Sequence, residues 1–410
     1  MITAVPALTP FSRYQKFVVG LLATLQFAVI IDFMLMAPLG AMIMPALSMT
    51  AQQFSLVVSL YAFSAGVSGL LTAGFADRFD RKKLLLFFYS GFVVGTLWCG
   101  LANSFETLLL ARVVTGLFAG VIGSIVLAIA ADLFAPQSRG RVMGVIQTAF
   151  AASQVLGLPV GLYLANHWGW HAPFLLLAAM GAAGGLVILL TMRPVTGHLA
   201  AQQEHSAFGH LLNTLATPQH WAAFAATALL TTGGFMLMPF SSAFTVNNLG
   251  IDTASLPTVY LLTGLCTIVT GPLIGRASDG FGKLPVFYVG SALTIVMVTI
   301  YTHLSNVPLP WVILVNAVLF VGIFSRLIPF QAMVAGVPEP SHRGAFNAVS
   351  SAIQQLSGGF AALLAGHVVV IGVDGKLQHF EVVGYVLSAT TLVAGYLVWR
   401  VQQGLLRRTA

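Results

Sequence analysis

The segment Gly74-Phe-Ala-Asp77-Arg78-Phe-Asp80-Arg81-Lys82-Lys83 is a polar island between two oily runs, 54–76 and 84–102. A weaker copy, Gly275-Arg276-Ala-Ser-Asp279-Gly-Phe-Gly-Lys283, stands about two hundred residues later between two further apolar runs. A short loop of glycine, acid and base, met once in each half of the chain, predicts a body assembled from two copies of one unit.

The chain around these loops has 410 residues, 58% of them hydrophobic and 7% charged, and a mean hydropathy of +0.91. A water-soluble domain carries about 25% charged residues, so this composition cannot clothe a soluble surface. The chain reads as an integral membrane protein. A pI of 9.6 and a net charge of +7 do not point to nucleic acid, because the basic residues flank apolar runs and interleave with no aromatic patch. Cys99 and Cys266 fall inside apolar runs and read as small core residues, not as a disulfide or metal pair. Arg13 and Lys16 precede a run too long for a signal h-region, so the first span is expected to be retained.

An apolar helix needs about 20 residues to cross a bilayer. Runs near that length number twelve: 17–46, 54–76, 84–102, 107–131, 142–166, 171–192, 220–246, 256–278, 284–304, 310–335, 345–371 and 381–401. They are continuous and do not alternate as barrel strands do. With the N-terminus cytoplasmic, 15 of the 18 Lys and Arg residues fall on the inner side. Lys376 alone lies in an outer loop, and Arg112 and Arg326 lie within spans. This positive-inside bias puts both termini on the cytoplasmic side, and the lack of any Asn-X-Ser/Thr acceptor fits a bacterial inner membrane. The longest polar interval, 193–217, divides residues 1–192 from 218–410, six spans from six. Within it Phe208, Leu211, Leu212 and Leu215 keep the spacing of an amphipathic helix lying on the membrane surface. The halves also share landmarks. Pro38 matches Pro239 at an offset of 201, Asp77 matches Asp279 at 202, and Pro136 and Arg139 match Pro340 and Arg343 at 204. The fold expected is all-α, with two six-helix bundles meeting at a site between them.

Asp32 is the one acid well inside a span. It lies about 24 Å along the first helix at 1.5 Å per residue, where an exposed carboxylate costs about 2.5–3.5 kcal/mol, so it is expected to face a cavity. Arg112 enters the fourth span from the outer side at similar depth, and the two are expected to pair. Burial opposes ionisation of Asp32 and the guanidinium favours it, so the pair could load and release a proton; the plainer reading is a static ion pair. Arg326 has no acid in reach within the spans and reads either as an anion anchor or as a snorkelling arginine. Gln147, Gln154, Gln354 and Gln355 are candidate cavity donors, and Phe235, Met238 and Phe324 candidate cargo contacts, although such residues also serve as packing. The Asp77–Lys83 loop sets topology in any case. As a latch, Gly74, Asp77, Arg78, Asp80, Arg81 and Lys82, with Asp279 and Lys283, would hold the two halves together on the inner side. No Walker loop, His-Glu-X-X-His or Gly-X-Ser-X-Gly occurs, which sets aside ATP-driven transport and hydrolysis. His167 and His171 flank an outer loop and suggest no metal site.

These features resemble the major facilitator superfamily, and within it the bacterial twelve-span drug and small-molecule proton antiporters. Asp77-Arg78-Phe79-Asp80-Arg81-Lys82 is similar to that family's signature between helices 2 and 3, with Ala73 in place of the usual leading glycine and Asp80 in place of another. Leu110-Ala-Arg112-Val-Val-Thr-Gly116 resembles its helix 4 motif. Gly157-Leu-Pro159-Val-Gly161 resembles the exporters' helix 5 motif, with one extra residue. The resemblance implies a cavity lined by helices 1, 4, 7 and 10. It also implies a monomeric secondary transporter that exports a small molecule by proton antiport, with membrane lipid around it and no cofactor but the proton gradient. Two alternatives stay open: a carrier of an anionic amphiphile or organic anion held by Arg112 and Arg326, and a membrane receptor that does not transport.

Overall fold

The computed structural model describes residues 11–73, 75–197, 199, 207–339 and 343–409. Expectations resting on Gly74 and Pro340, and on the side chains of Asp77, Pro136, Phe208 and Leu212, lie outside the described residues. Among those residues, twelve helical stretches are long and apolar enough to cross a membrane. The first six spans are α1 (Arg13–Leu35) continued by α2 (Gly40–Ala46), α3 (Ala51–Ala73), α4 (Arg81–Leu101), α5 (Phe105–Leu133), α6 (Pro136–Ala152) continued by α7 (Leu158–Trp168), and α8 (Ala172–Thr191). A short α9 (Ala207–Ala216) precedes the second six. These are α10 (Pro218–Leu237) continued by α11 (Ser241–Asn247), α12 (Leu256–Phe281), α13 (Lys283–Thr302), α14 (Leu309–Val334), α15 (Arg343–Val368) and α16 (Phe380–Thr409). The side on which α1 begins and α16 ends is called here the termini side, and the opposite one the far side.

Local chemistry sets the helix starts. Ser12 and Gln15 cap α1 reciprocally, Ser104 and Thr107 do the same for α5, and the Asp80 carboxylate accepts from Lys82 N at 2.9 Å to open α4. Each cap satisfies amides that a helix start leaves unpaired. Inside the bundles, glycines let backbones approach. A methyl on Gly120 would strike the Ala65 backbone, joining α5 to α3, and one on Gly290 would meet Ser325 and Arg326, joining α13 to α14. Small residues at the contact are how apolar helices associate where no water is expelled.

Three spans that read as continuous runs are interrupted. The first breaks over Met36–Leu39, and its counterpart in the second half breaks at the 3₁₀ turn Met238–Phe240. Pro38 and Pro239 sit at these breaks, each removing a backbone donor. The fifth carries a π-type turn, Ser153–Gly157, just before Pro159. There the wider turn accommodates the ring and the missing N–H. The far-side loop before α16 also holds a small antiparallel hairpin, β1 (Val370–Ile371) with β2 (Leu377–Gln378), which the run pattern did not suggest. The linker helix α9 forms where its periodicity predicts, but it docks on protein. Leu211 is buried with Phe224 and Phe346 of the second bundle, while Leu215 is exposed. Of its apolar face, Leu211 therefore packs on the second bundle.

The bundles meet mainly on the far side. Ser242 Oγ donates to Ala37 O at 2.8 Å, and Asn166 Nδ2 to Thr253 O at 3.1 Å. Gly40 lies close under the Pro239 carbonyl, and α3 runs along α15 from Ser55–Gly366 to Gly66–Gln355. Between α6–α7 and α12 the last tie towards the termini side, among the described residues, is Thr267 Oγ1 donating to Gln154 Oε1 at 3.2 Å. Beyond it, methyl groups on Gly140, Gly144, Gly271, Gly275 and Gly280 would meet nothing within 4 Å. The two helices diverge there, so the interface is closed on the far side and parted on the termini side.

Candidate functional site

Asp32 and Arg112 come together inside the first bundle. Arg112 Nη1 donates to Asp32 Oδ2 at 2.8 Å, and Thr96 Oγ1 donates to Asp32 Oδ1 at 3.1 Å. The two side chains are 0% and 1% exposed. The guanidinium lies over the Tyr61 ring at 4.1 Å, and its Nε has no partner. Each helix contributes through its packing: α1 brings Asp32, α3 Tyr61, α4 Thr96 and Cys99, and α5 Arg112 and Thr115. Gly95 admits Thr115 against α4, with Cys99 Sγ 3.8 Å from Thr115 Oγ1. The expectation that Asp32 faces a cavity is therefore corrected. Its cost of burial is met by a guanidinium and a hydroxyl from neighbouring helices and not by solvent.

The residues beside Asp32 on α1 link this pair to the rest of the body. Phe33 stacks near Tyr61, with centroids 5.4 Å apart, and near Phe235 of the second bundle at 5.7 Å. Ile31 and Leu35 fill the spaces left by Gly157 and Gly161 of the helix 5 motif. Phe235 in turn lies against Gly358 of α15. A chain of ring contacts thus runs from Arg112 through Tyr61 and Phe33 to Phe235, across the bundle interface. Tyr61 and Thr96 were not singled out in the sequence. A hydroxyl within an apolar run was their only signal, and many such residues merely bond their own helix, as Thr227 does to Ala223 O.

The remaining candidates scatter. Arg326 is buried, with Nη1 donating to Thr391 Oγ1 at 2.5 Å, Nε unpartnered and no acidic partner among the described residues. It reaches towards α16, so it does not join Arg112 in one site. Gln154 is buried and bonded across to Thr267, Gln355 packs at Gly66, and Gln147 and Gln354 are exposed. Met238 and Phe324 are half-buried, the latter 6.4 Å from the Phe320 ring.

In the helix 2–3 loop, Asp80 also accepts from Val195 N at 3.0 Å. Arg81 pairs with Asp132 at 3.2 Å, and Lys82 Nζ donates to Leu189 O at 2.9 Å. Arg78 and Asp279 are exposed, while Lys283 Nζ reaches Ala332 O at 3.5 Å. Each of these bonds stays within one bundle and ties helix ends of its own half. Arg139, matched to Arg343 in the sequence, bonds the carbonyls of Phe134 and Ala131 at the end of α5.

Twelve spans with matched breaks in the first and seventh, two bundles closed on one side, and a buried ion pair wired to their interface define a polytopic membrane transporter. The chain belongs to the Major Facilitator Superfamily, whose family profile matches residues 22–327 and again 223–407. It is 27% identical over 375 residues to the MFS-type transporter YceJ of Bacillus subtilis, covering 89% of this chain and 91% of that one. Multidrug resistance protein 3 of the same organism is 28% identical over 130 residues, 32% of this chain and 25% of that protein. Among solved structures, a bacterial homolog of the human lysosomal transporter Spinster, inward-facing and occupied, is similar in fold. Its TM-score is 0.75 at 17% identity, with 97% of this chain and 99% of that one covered.

Proposed function

We propose that the protein exports a small molecule across the bacterial inner membrane by proton antiport, with Asp32 as the proton carrier and Arg112 as its counter-charge. The termini side is cytoplasmic in this reading, supported by the 15 basic residues assigned to it. The observation that carries the proposal is the enclosed Asp32–Arg112 pair and its ring contacts to the second bundle through Tyr61, Phe33 and Phe235. Protonating Asp32 removes the charge that holds Arg112, which loosens Tyr61 and so biases how the bundles meet. Relatives named for multidrug resistance support an exporter, and no nucleophile–base pair among the residues singled out supports an enzyme.

The test uses inverted membrane vesicles with an imposed pH gradient and a panel of chemically distinct dyes and antibiotics. A transported compound should collapse the gradient with the native chain. Asp32→Asn should abolish that response while compound binding persists, and Asp32→Glu should retain part of it. A gradient response unchanged in Asp32→Asn removes Asp32 from the mechanism. The rival with an anionic cargo is favoured only at Arg326, because Arg112 is already committed to Asp32.

A further inference from the structure

Gln26 lies on α1 about 20 Å from its start at Arg13, at 1.5 Å per residue, and so near mid-bilayer. Phe33 follows two turns later on the same face of the helix, about 10 Å further on. Phe33 meets Phe235 of the second bundle, so this face of α1 looks onto the interface between the bundles. On the termini side of that ring contact the interface is open. A methyl on Gly234, beside Phe235, would meet nothing within 4 Å. Gln26 is half-buried at this opening, and its amide is unspent. Its Oε1 is buried with no hydrogen-bond partner, and no bond engages Nε2 among the described residues. A methyl on Gly123 of α5 would meet only the two polar ends of this amide, each at 3.8 Å. That is ordinary contact, so α5 leaves the side chain room to turn. An amide held in an apolar setting with its donors and acceptor unmet costs free energy that a matching ligand recovers.

We infer that, in the carrier of small molecules proposed above, Gln26 reads the cargo, and that the cargo is an uncharged, flat molecule with an amide-type edge, an N–H beside a C=O. Charge excludes ions. Among the described residues, the arginines buried within the spans turn away from this opening: Arg112 holds Asp32 inside the first bundle, and Arg326 reaches Thr391 of α16. An ion would arrive with nothing to balance it. Hydrogen bonding selects the edge. A carboxamide presents a donor and an acceptor side by side, and a partner carrying the converse pair satisfies both at once. An ether or a tertiary amide leaves the Gln26 oxygen unmet. Length sets the body. About 10 Å separates Gln26 from the level of the Phe33–Phe235 contact, which closes the space on the far side. Two fused rings fit that span, with one face along Ile30, a turn above Gln26, and the other before Gly234. This role rests on transport between the bundles and is independent of a proton at Asp32.

The experiment measures equilibrium binding to the full chain in nanodiscs, against empty nanodiscs and with no pH gradient, so its failure is separate from a failure of coupling at Asp32. The probes are carbostyril, whose ring N–H and C=O stand side by side, N-methylcarbostyril, which keeps the rings and loses the donor, and the N-methylquinolinium cation. The native chain should bind carbostyril about tenfold more tightly than its N-methyl derivative, the difference expected for one or two uncharged hydrogen bonds. The cation should bind more weakly than either. Gln26→Leu should erase the preference for carbostyril and leave N-methylcarbostyril binding unchanged, which also shows that the variant is folded. Gln26→Asn, the same amide one carbon shorter, should keep part of the preference. Gly234→Leu, which fills open space on α10, should weaken both carbostyrils alike. Equal binding of the two by the native chain overturns the inference. So do no binding of carbostyril, a preference that survives in Gln26→Leu, equal loss of both probes in that variant, tighter binding of the cation, and binding indifferent to Gly234→Leu.

Discussion

The parting of α6 from α12 predicts where the body closes when it turns over. On the sealed part of this interface α12 runs antiparallel to α6–α7, tied at Asn166–Thr253 and Gln154–Thr267. Continuing that register towards the termini side sets Gly275 opposite Gly144, Gly271 opposite Gln147, and Asp279 opposite Arg141. Gly140-Arg-Val-Met-Gly144 and Gly271-Pro-Leu-Ile-Gly275 are both small-xxx-small stripes, and both now face open space. Such stripes are where apolar helices approach most closely. We expect them to close on each other in the state open on the far side, with the exposed Arg141 and Asp279 meeting at the end. A leucine at Gly271 meets nothing here but overpacks the closed state by about 1–3 kcal/mol. That shifts the balance about 5- to 150-fold towards the present state. The assay is disulfide formation in Gly144→Cys/Gly275→Cys, with Cys99 and Cys266 replaced by alanine, since a bridge requires Cα atoms within about 7 Å. Cross-linking should be slow at rest and quicken under a pH gradient with cargo, and Gly271→Leu should suppress it. A pair that never bridges under turnover, or bridges equally well with Gly271→Leu, would refute the register.

Two further outcomes follow from the same contacts. Arg112→Gln alone leaves Asp32 buried without its counter-charge and should cost about 3–5 kcal/mol; thermal melting of the single and double variants with Asp32→Asn should show the double recovering much of that loss. Asp80→Ala removes the α4 cap and the tie to Val195. It should lower stability by about 0.5–2 kcal/mol and speed proteolysis just after α8, and unchanged cleavage there would exclude the tie.

The spans were legible in the sequence because continuous apolar runs need no tertiary information. Their interruptions were not. Pro38, Pro159 and Pro239 are visible, but whether a proline kinks, breaks or widens a helix depends on what packs beside it, as Ile31 does on Gly157. The approach of Asp32 to Arg112 was legible from depth alone, since rise per residue places both on the far half. Which way they face was not, because α1 and α5 are apolar nearly all round and carry almost no amphipathic signal. The same blindness affected Arg326, whose depth was readable but whose reach to Thr391 across α16 depends on rotation about the helix axis.

The enclosure of the ion pair constrains how the proposed coupling through Asp32 would work. Asp32 uses both oxygens, one for Arg112 and one for Thr96, so no cargo can touch it without unpacking α4 or α5. A proton arriving at Oδ2 would neutralise the carboxylate that holds the Arg112 N–H there. The guanidinium would then retain the Tyr61 face and nothing else of opposite charge among the described residues nearby. If Asp32 is the coupling carboxyl, the energy of that step would act on the position of Tyr61 and, through Phe33, on Phe235 and the bundle interface. Replacing Phe33 with alanine leaves the ion pair intact but removes the ring between the two bundles. If coupling runs through packing, Phe33→Ala should uncouple gradient collapse from compound movement while Asp32 and Arg112 stay paired. If proton and cargo instead compete for Asp32 directly, Phe33→Ala should weaken compound binding and leave the ratio of protons to cargo unchanged.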